Sequence, residues 1–290
     1  MSLETTAMRD PALGERRSVV LPGGRIAYTD SGSGRPVVFV HGLLVNANLW
    51  RKVVPLVVDA GFRCLTPDWP LGAHSIAMSP QADLTPPGIA HLILEFLEEL
   101  DLDDVTIVAN DTGGALTQIL MANHPERIGR VVLTPCDAFE EFFPAPYDRF
   151  PTLMRWPGAI WMASRLLPLP VVYSRASVFG CLTKQPIPAD VMDSYLGPIR
   201  DDGQIRRDAK RFIVEVDSKY TLAAATMLPE FDKPVLLVRA ADDRVFAPQL
   251  FERLAATLPN AELVTVADSC AFVPEDQPND LARLIVEFAG

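Results

Sequence analysis

Residues 105–114 read VTIVANDTGG, and Asp111 is the side chain among them whose placement could do chemistry. A run with the character of a buried strand ends in Asn110-Asp111-Thr112, and a helical stretch opens on two glycines. Ala109 and Gly113 flank Asp111 in a small-x-Asp-x-small pattern. A tight strand-to-helix turn lifts its central side chain above a sheet, and it needs small neighbours because the backbone crowds there. The helix that starts at the turn aims free N–H groups and the positive end of its dipole at that residue, which favours negative charge. Two roles fit: a carboxylate nucleophile, or an aspartate that only caps the helix.

The elements around this turn follow a regular order. Arg25–Thr29, Pro36–Val40, Phe62–Thr66, Val105–Ala109, Val131–Thr134, Val235–Val238 and Leu263–Val266 read as short strands. Helical stretches lie near Leu49–Val58, from Pro87 to Leu100, from Asp111 through Ala122, and at Gln249–Ala256 and Asp280–Phe288. In the second of these, Ile89, Leu92, Ile93, Phe96, Leu97 and Leu100 recur with a helical period. Buried strands alternating with helices predict a mostly parallel sheet covered on both faces. Residues 138–228 break the rhythm: they are rich in proline, aromatics and methionine and show no clear buried strand. The expected organisation is a core at 18–137 and 229–290, with 138–228 inserted as a helical cap. Met1–Arg17 is polar and charged, has no apolar leader-like run, and is left outside the fold.

Taken in order, these landmarks resemble the α/β-hydrolase fold superfamily from about Arg25 to the C-terminus. VFVHGLL at Val38–Leu44 is similar to the family's His-Gly oxyanion loop, and TPD at Thr66–Asp68 ends a strand before a glycine-containing loop. NHPERI at Asn123–Ile128 follows the elbow helix, and VLLVRAADDRVFAP at Val235–Pro248 joins a strand to an acidic turn. An aspartate at the elbow resembles the haloalkane dehalogenases, fluoroacetate dehalogenases and epoxide hydrolases. That resemblance implies that Asp111 displaces halide or opens an epoxide to give an alkyl-enzyme ester. The backbone N–H groups of Leu43 and Thr112 would form the oxyanion hole for hydrolysis of that ester. Asp243 would be the supporting acid, with Asp137 as the alternative position used by some dehalogenases. His41 and Asn110 beside the elbow, and Trp156 and Trp161 in the cap, are the implied substrate contacts. Leu153, Ile160, Met162 and Leu166 would add apolar lining. His41, read alone, is a residue that orders its loop.

The resemblance also exposes a gap. The family places a base histidine in a Gly-His-Phe loop after the last strand, and this chain has DSCAFVPEDQP at Asp268–Pro278. Phe272 and Pro278 fix the register, which puts Ala271 at the histidine position and Cys270 at the glycine. The four histidines are His41, His74, His91 and His124, and none lies beyond the cap. Two residues differ where a single introduced change would alter one, which favours natural divergence. His74, in the loop after Asp68, is the candidate replacement base. Thr112 stands where haloalkane dehalogenases have a halide-binding tryptophan and fluoroacetate dehalogenases an arginine. Tyr147, Tyr173, Tyr195 and Tyr220 could supply the pair of cap tyrosines with which epoxide hydrolases protonate the opening oxygen.

Composition bounds the rest. The 290 residues are 49% hydrophobic, enough for one sizeable core, and the net charge is −11. A negative field repels phosphate backbones and anionic lipid, so neither nucleic acid nor a membrane is an expected partner. Cys64, Cys136, Cys181 and Cys270 show no metal-ligand spacing and read as reduced intracellular thiols. The apolar stretch Leu153–Tyr173 is interrupted by two arginines and three prolines and cannot span a bilayer. We therefore expect a cytoplasmic monomer or homodimer that uses no metal or organic cofactor and acts on a small or medium apolar substrate. Three functions remain open: an Asp-nucleophile hydrolase, a non-hydrolytic enzyme using Asp111 as acid or base, and a ligand-binding pseudoenzyme.

Overall fold

The computed structural model describes residues 9–290. An eight-stranded sheet runs in the order β1-β2-β4-β3-β5-β6-β7-β8. The strands are β1 (Glu15–Leu21), β2 (Gly24–Gly32), β3 (Pro36–Val40), β4 (Arg63–Pro67), β5 (Val105–Asp111), β6 (Ile128–Cys136), β7 (Val235–Ala240) and β8 (Ala261–Val266). β1 and β2 pair antiparallel, β2 joins β4 antiparallel, and all remaining neighbours are parallel. All seven strands read from the sequence are present within a few residues. The missed one, β1, begins at Glu15, inside the stretch set aside as lying outside the fold; Met1–Met8 lie outside the described residues. The reason is physical: β1 is an antiparallel edge strand with Glu15, Arg16, Arg17 and Ser18 in solvent, so it lacks the apolar run that marks the central strands.

The helices cover both faces. α1 (Val54–Asp59), α2 (Pro86–Glu99) and α3 (Thr112–Asn123) come before the inserted stretch. α4 (Phe150–Met154), α5 (Ala159–Leu166), α6 (Pro170–Tyr173), α7 (Ala189–Asp201), α8 (Gly203–Ile213) and α9 (Ser218–Met227) lie within it. α10 (Pro248–Thr257), α11 (Val273–Asp276) and α12 (Pro278–Ala289) complete the chain. α2 shows why these segments are helical: Thr85 accepts from the Gly88 N–H as N-cap, Pro86 fits the first turn, and Ile89, Leu92, Ile93, Phe96 and Leu97 are buried. α9 packs on α3, so the last helix of the inserted stretch rests on the core rather than on the other cap helices. No helix among the described residues is long and apolar enough to cross a membrane.

The topology explains where a site must form. From β3 the chain moves outward to β4, then returns to place β5 on β3's other side, so the connection reverses direction between β3 and β5. Loops at such a switch point diverge and leave a crevice at the carboxyl ends of the strands. Val40 pairs with Ala109, so the His-Gly turn after β3 and the Asp111 turn after β5 emerge side by side.

Buried polar contacts hold these loops. His41 is fully buried; its Nε2 accepts from the Trp69 N–H at 2.9 Å, and its Nδ1 donates to the Gly42 carbonyl at 2.9 Å. Burial lowers its pKa to about 4, so it stays neutral and keeps that acceptor at physiological pH. The buried guanidinium of Arg9 forks onto Asp68 at the end of β4. Arg51 forks onto Glu275, with Nη2–Oε2 at 2.9 Å, which ties the turn after β3 to α11. Both members of that pair are less than a tenth exposed. Lys52 also reaches Glu275 Oε2 at 2.9 Å and keeps it partnered, so Arg51→Ala should lose about 1–3 kcal/mol of stability. Urea unfolding checks this as a lowered midpoint at constant slope, and replacing both partners with apolar residues of similar volume should recover most of the loss.

Candidate active site

Asp111 ends β5 and begins α3 with no residue between them. Its backbone sits at φ 57°, ψ −134°, outside the regions L-residues favour. Such strain persists only where the surroundings enforce it. Here two glycines do so. A Cβ on Gly113 would lie 2.4 Å from the Val40 carbonyl oxygen, and one on Gly42 would lie 2.6 Å from the Asp111 Cβ. The oxyanion loop and the elbow therefore touch backbone to side chain, which only glycine at both places permits.

Asp111 Oδ1 accepts from the Thr112 N–H at 2.6 Å. Burial raises its pKa, while the N–H groups of Thr112 and Leu43 offset part of that rise. The two backbone donors named from the sequence thus converge on one carboxylate. The Thr112 hydroxyl itself is buried without a hydrogen-bond partner.

Two further carboxylates sit at neighbouring strand ends. Asp111 pairs with Cys136 across β5 and β6 through a bulge, so Asp137 follows directly beside it. Asp137 is 1% exposed and accepts from the Phe143 N–H at 3.1 Å. Burial, then repulsion from Asp111, drives its pKa well above the carboxylate range. Asp243, after β7, receives the Val245 and Phe246 N–H groups on Oδ1, at 2.8 and 3.1 Å. Its other oxygen, Oδ2, is buried with no partner. Burial, with a further contribution from Asp111, raises its pKa to about 6 against the donated N–H groups.

The segment after β8 closes this side of the site. The Asp242 N–H donates to Ser269 O at 3.0 Å, and Cys270 Sγ lies 3.4 Å from Asp242 O, so the turns after β7 and β8 are bound together. Ala271 is fully buried, and Phe272 lines the cavity above Asp111. All four cysteines are buried and free.

The cavity has a volume of about 340 Å³ and holds Asp111, Asp137, Leu43 and Leu44 on its core side. The chain after β6 contributes Phe143, Tyr147, Phe150 and Leu153; Phe179, Leu182, Val245 and Phe246 complete most of an apolar wall. Mostly apolar walls with a few convergent polar groups suit a small apolar ligand.

Several sequence expectations need correction. Trp156 and Trp161 are 68% and 57% exposed and do not line the cavity, because the inward faces of α4 and α5 are taken by Met154, Ala159 and Ser164. Met162 and Leu166 likewise face solvent, while Leu153 and the unanticipated Leu167 reach the cavity. Asn110 is no substrate contact: its Nδ2 donates to Thr134 Oγ1, Pro135 O and Ala271 O, at 2.9, 3.0 and 2.9 Å. It binds the elbow to β6 and to the segment after β8. His41 is spent on its own loop, as described above.

His74 is also excluded from the site. Its Nδ1 accepts from the Gly72 N–H at 3.3 Å, and its Nε2 faces Asp208 on α8 at 3.4 Å. It fastens the loop after β4 to the cap. The rings of His91 and His124 lie tilted against each other at 5.4 Å, and no histidine is among the residues that line the cavity. Of the four cap tyrosines only Tyr147 lines it, and its hydroxyl donates to Val178 O at 2.9 Å. The phenylalanines at 143, 179, 246 and 272 went unrecognised as lining because nothing in a sequence distinguishes a cavity aromatic from a core one.

Comparison with known proteins agrees with the fold. A family model described as the alpha/beta hydrolase fold matches residues 35–161. Haloalkane dehalogenase 2 of Mycobacterium tuberculosis is 28% identical over 92% of this chain and 92% of its own length. A cis-3-alkyl-4-alkyloxetan-2-one decarboxylase of Shewanella oneidensis is 25% identical over 92% of this chain and 85% of its own. Among solved structures, the epoxide hydrolase CorEH superposes with a TM-score of 0.79 at 19% identity, covering 94% of this chain and 98% of that one. The chain has the fold of the α/β-hydrolase superfamily, and its sequence relatives include haloalkane dehalogenases.

Proposed function

We propose that this chain is an Asp-nucleophile enzyme of that superfamily, acting on small or medium apolar substrates whose reacting carbon carries a strained ring oxygen. The observation that carries this reading is that Asp111 and Asp137 line one apolar cavity, where burial and the neighbouring Asp111 push the acidity of Asp137 well down. Two neighbouring buried carboxyls cannot both ionise cheaply. Asp111 has the oxyanion N–H groups and is the member that ionises; Asp137 retains the proton. Asp111 then attacks the ring carbon, the carbon–oxygen bond breaks, and Asp137 protonates the departing oxygen. The products are an ester on Asp111 and a free hydroxyl. A carboxylic acid held neutral by its surroundings is a competent donor for such a step. Alkyl halides fit less well, since Thr112 offers no halide-binding ring or guanidinium.

The second half-reaction lacks its base. Asp243 stands with Oδ2 unpartnered and Ala271 fills the neighbouring loop, so nothing activates water toward the ester. Loss of a general base slows a step by roughly 10²–10⁴. We infer that the ester forms faster than it hydrolyses. The missing histidine, together with the relative named for decarboxylating an oxetanone, favours one further reading: ring chemistry completed without hydrolysis.

Intact-mass spectrometry after incubation with epoxides and alkyl halides tests both readings. An epoxide adduct mapping to Asp111 should persist, vanish in Asp111→Asn, and form about 10²–10⁴ more slowly in Asp137→Asn. Ala271→His should release it as diol. Absence of any adduct across the panel, with no product, would sink the nucleophile assignment. Product formed with no adduct and no solvent oxygen incorporated would select the non-hydrolytic route.

The pH dependence follows from the same two groups. Adduct formation needs Asp111 ionised and Asp137 protonated, so with epoxides the rate should rise through the raised pKa of Asp111. It should fall again only where Asp137 loses its proton, well above the usual carboxylate range. Alkyl halides, which need no proton, should show the rising limb alone. Single-turnover rates against pH distinguish the two profiles.

Asp243 makes a stability prediction. Its folded pKa of about 6 exceeds the ordinary 3.8, so burying the ionised form destabilises the fold. The penalty is absent below pH about 4, grows as pH rises to about 6, and is constant above. Asp243→Asn should therefore stabilise the protein by about 2–3 kcal/mol at pH 7 and by little at pH 4, as read by urea unfolding at both.

A further inference from the structure

Among the described residues, eleven large hydrophobic side chains are exposed, and seven of them fall between Leu153 and Val171 on α4, α5 and α6. Clustering of this kind marks an interaction surface, whereas exposed apolar residues scattered singly need no explanation. α5 shows the pattern most clearly. Ala159 and Ser164 are buried on its inner face, against α7 and α8. Trp161, Met162 and Leu166 point outward, with Arg165 between them and its guanidinium 5.7 Å from the Trp161 ring. Trp156, Leu169 and Val171 extend the patch on either side.

Charge selects the occupant. Residues 149–175 contain Arg149, Arg155, Arg165 and Arg175 and no aspartate or glutamate. The rest of the chain keeps 22 basic against 37 acidic residues. None of the four arginines has a carboxylate within ion-pair distance among the described residues; Asp201 acts on Arg165 at longer range, and Arg155 Nη2 donates to the Val214 carbonyl at 2.9 Å. The net charge of −11 therefore conceals one cationic, tryptophan-bearing face. A second copy meeting this face by two-fold symmetry would set arginines against arginines. A surface of anionic headgroups supplies the phosphates these arginines lack, and tryptophan rings sit at the boundary between headgroup and acyl chain.

We propose that the cap docks on an anionic lipid surface through α4–α6, with Trp156 and Trp161 inserted and Arg155 and Arg165 on lipid phosphates. Arg149 and Leu153 border both this face and the cavity, so the docked face lies beside the cavity mouth. The docking is independent of the chemistry proposed for Asp111.

Co-sedimentation with vesicles of equal parts phosphatidylcholine and phosphatidylglycerol tests this against vesicles of phosphatidylcholine alone. Trp50 and Trp69 are fully buried, so a blue shift of tryptophan emission on binding reports Trp156 and Trp161. The protein should sediment with the anionic vesicles, shift its emission, and release at high salt. Each arginine at such a surface contributes about fivefold in partitioning, so Arg155→Gln with Arg165→Gln should weaken binding about 25-fold. Trp156→Ser with Trp161→Ser should abolish it while leaving the unfolding midpoint unchanged. Failure to sediment with anionic vesicles overturns the proposal, as does binding that both double variants retain or that neutral vesicles match. A dimer that dissolves in the tryptophan variant, without vesicle binding, would assign the face to a second copy instead.

Discussion

The site depends on one backbone constraint: Asp111 must turn a central strand directly into a helix at φ 57°, ψ −134°. Everything near it is arranged to allow that turn. Gly113 lets α3 pass against the carbonyl of Val40, Gly42 yields its side-chain space to the carboxylate, and Asn110 anchors the elbow with three donated hydrogen bonds. Because Val40 and Ala109 are in register, the elbow lies against the loop after β3, whose own geometry His41 helps fix. The carboxylate is thus held against two backbone donors without relying on a mobile side chain.

That arrangement concentrates negative charge in a place poor in water. Asp111, Asp137 and Asp243 each end or follow a different central strand, and burial raises all three. In a site with a histidine between two carboxylates, a positive charge can form there and hold both ionised. Without one, the cheapest state keeps protons on the carboxyls least supported by N–H donors. With no histidine among the residues that line the cavity, these three carboxyls form a set of coupled acids.

The cap shows a different division of labour. Its inner side offers phenylalanines and Tyr147 to the cavity, while its outer side shows tryptophans and arginines to solvent. Short helices broken by prolines at 157, 168 and 170 make this two-sidedness feasible. Each segment is too short to bury a full apolar stripe, and its second face remains available.

The sequence by itself determined the fold and the place of Asp111 at the strand-to-helix turn. Pro36–Val40, Val105–Ala109 and Val131–Thr134 are apolar on both faces, which only a covered central sheet explains, and Asp111 between Ala109 and Gly113 is legible because steric crowding dictates its neighbours. The positions of the four histidines were equally legible, since they can be counted and placed. Tertiary structure alone decided what the partners do. Asp137 became a neighbour of Asp111 through the register of β5 and β6, which no local pattern encodes. His74, Asn110 and His41 proved to be fasteners, because a hydrogen-bonding side chain looks the same in sequence whether it meets a substrate or a carbonyl. Trp156 and Trp161 turned outward for a related reason: in short helices the apolar residues exceed what one inner face can bury, and only the packing decides which of them reach it.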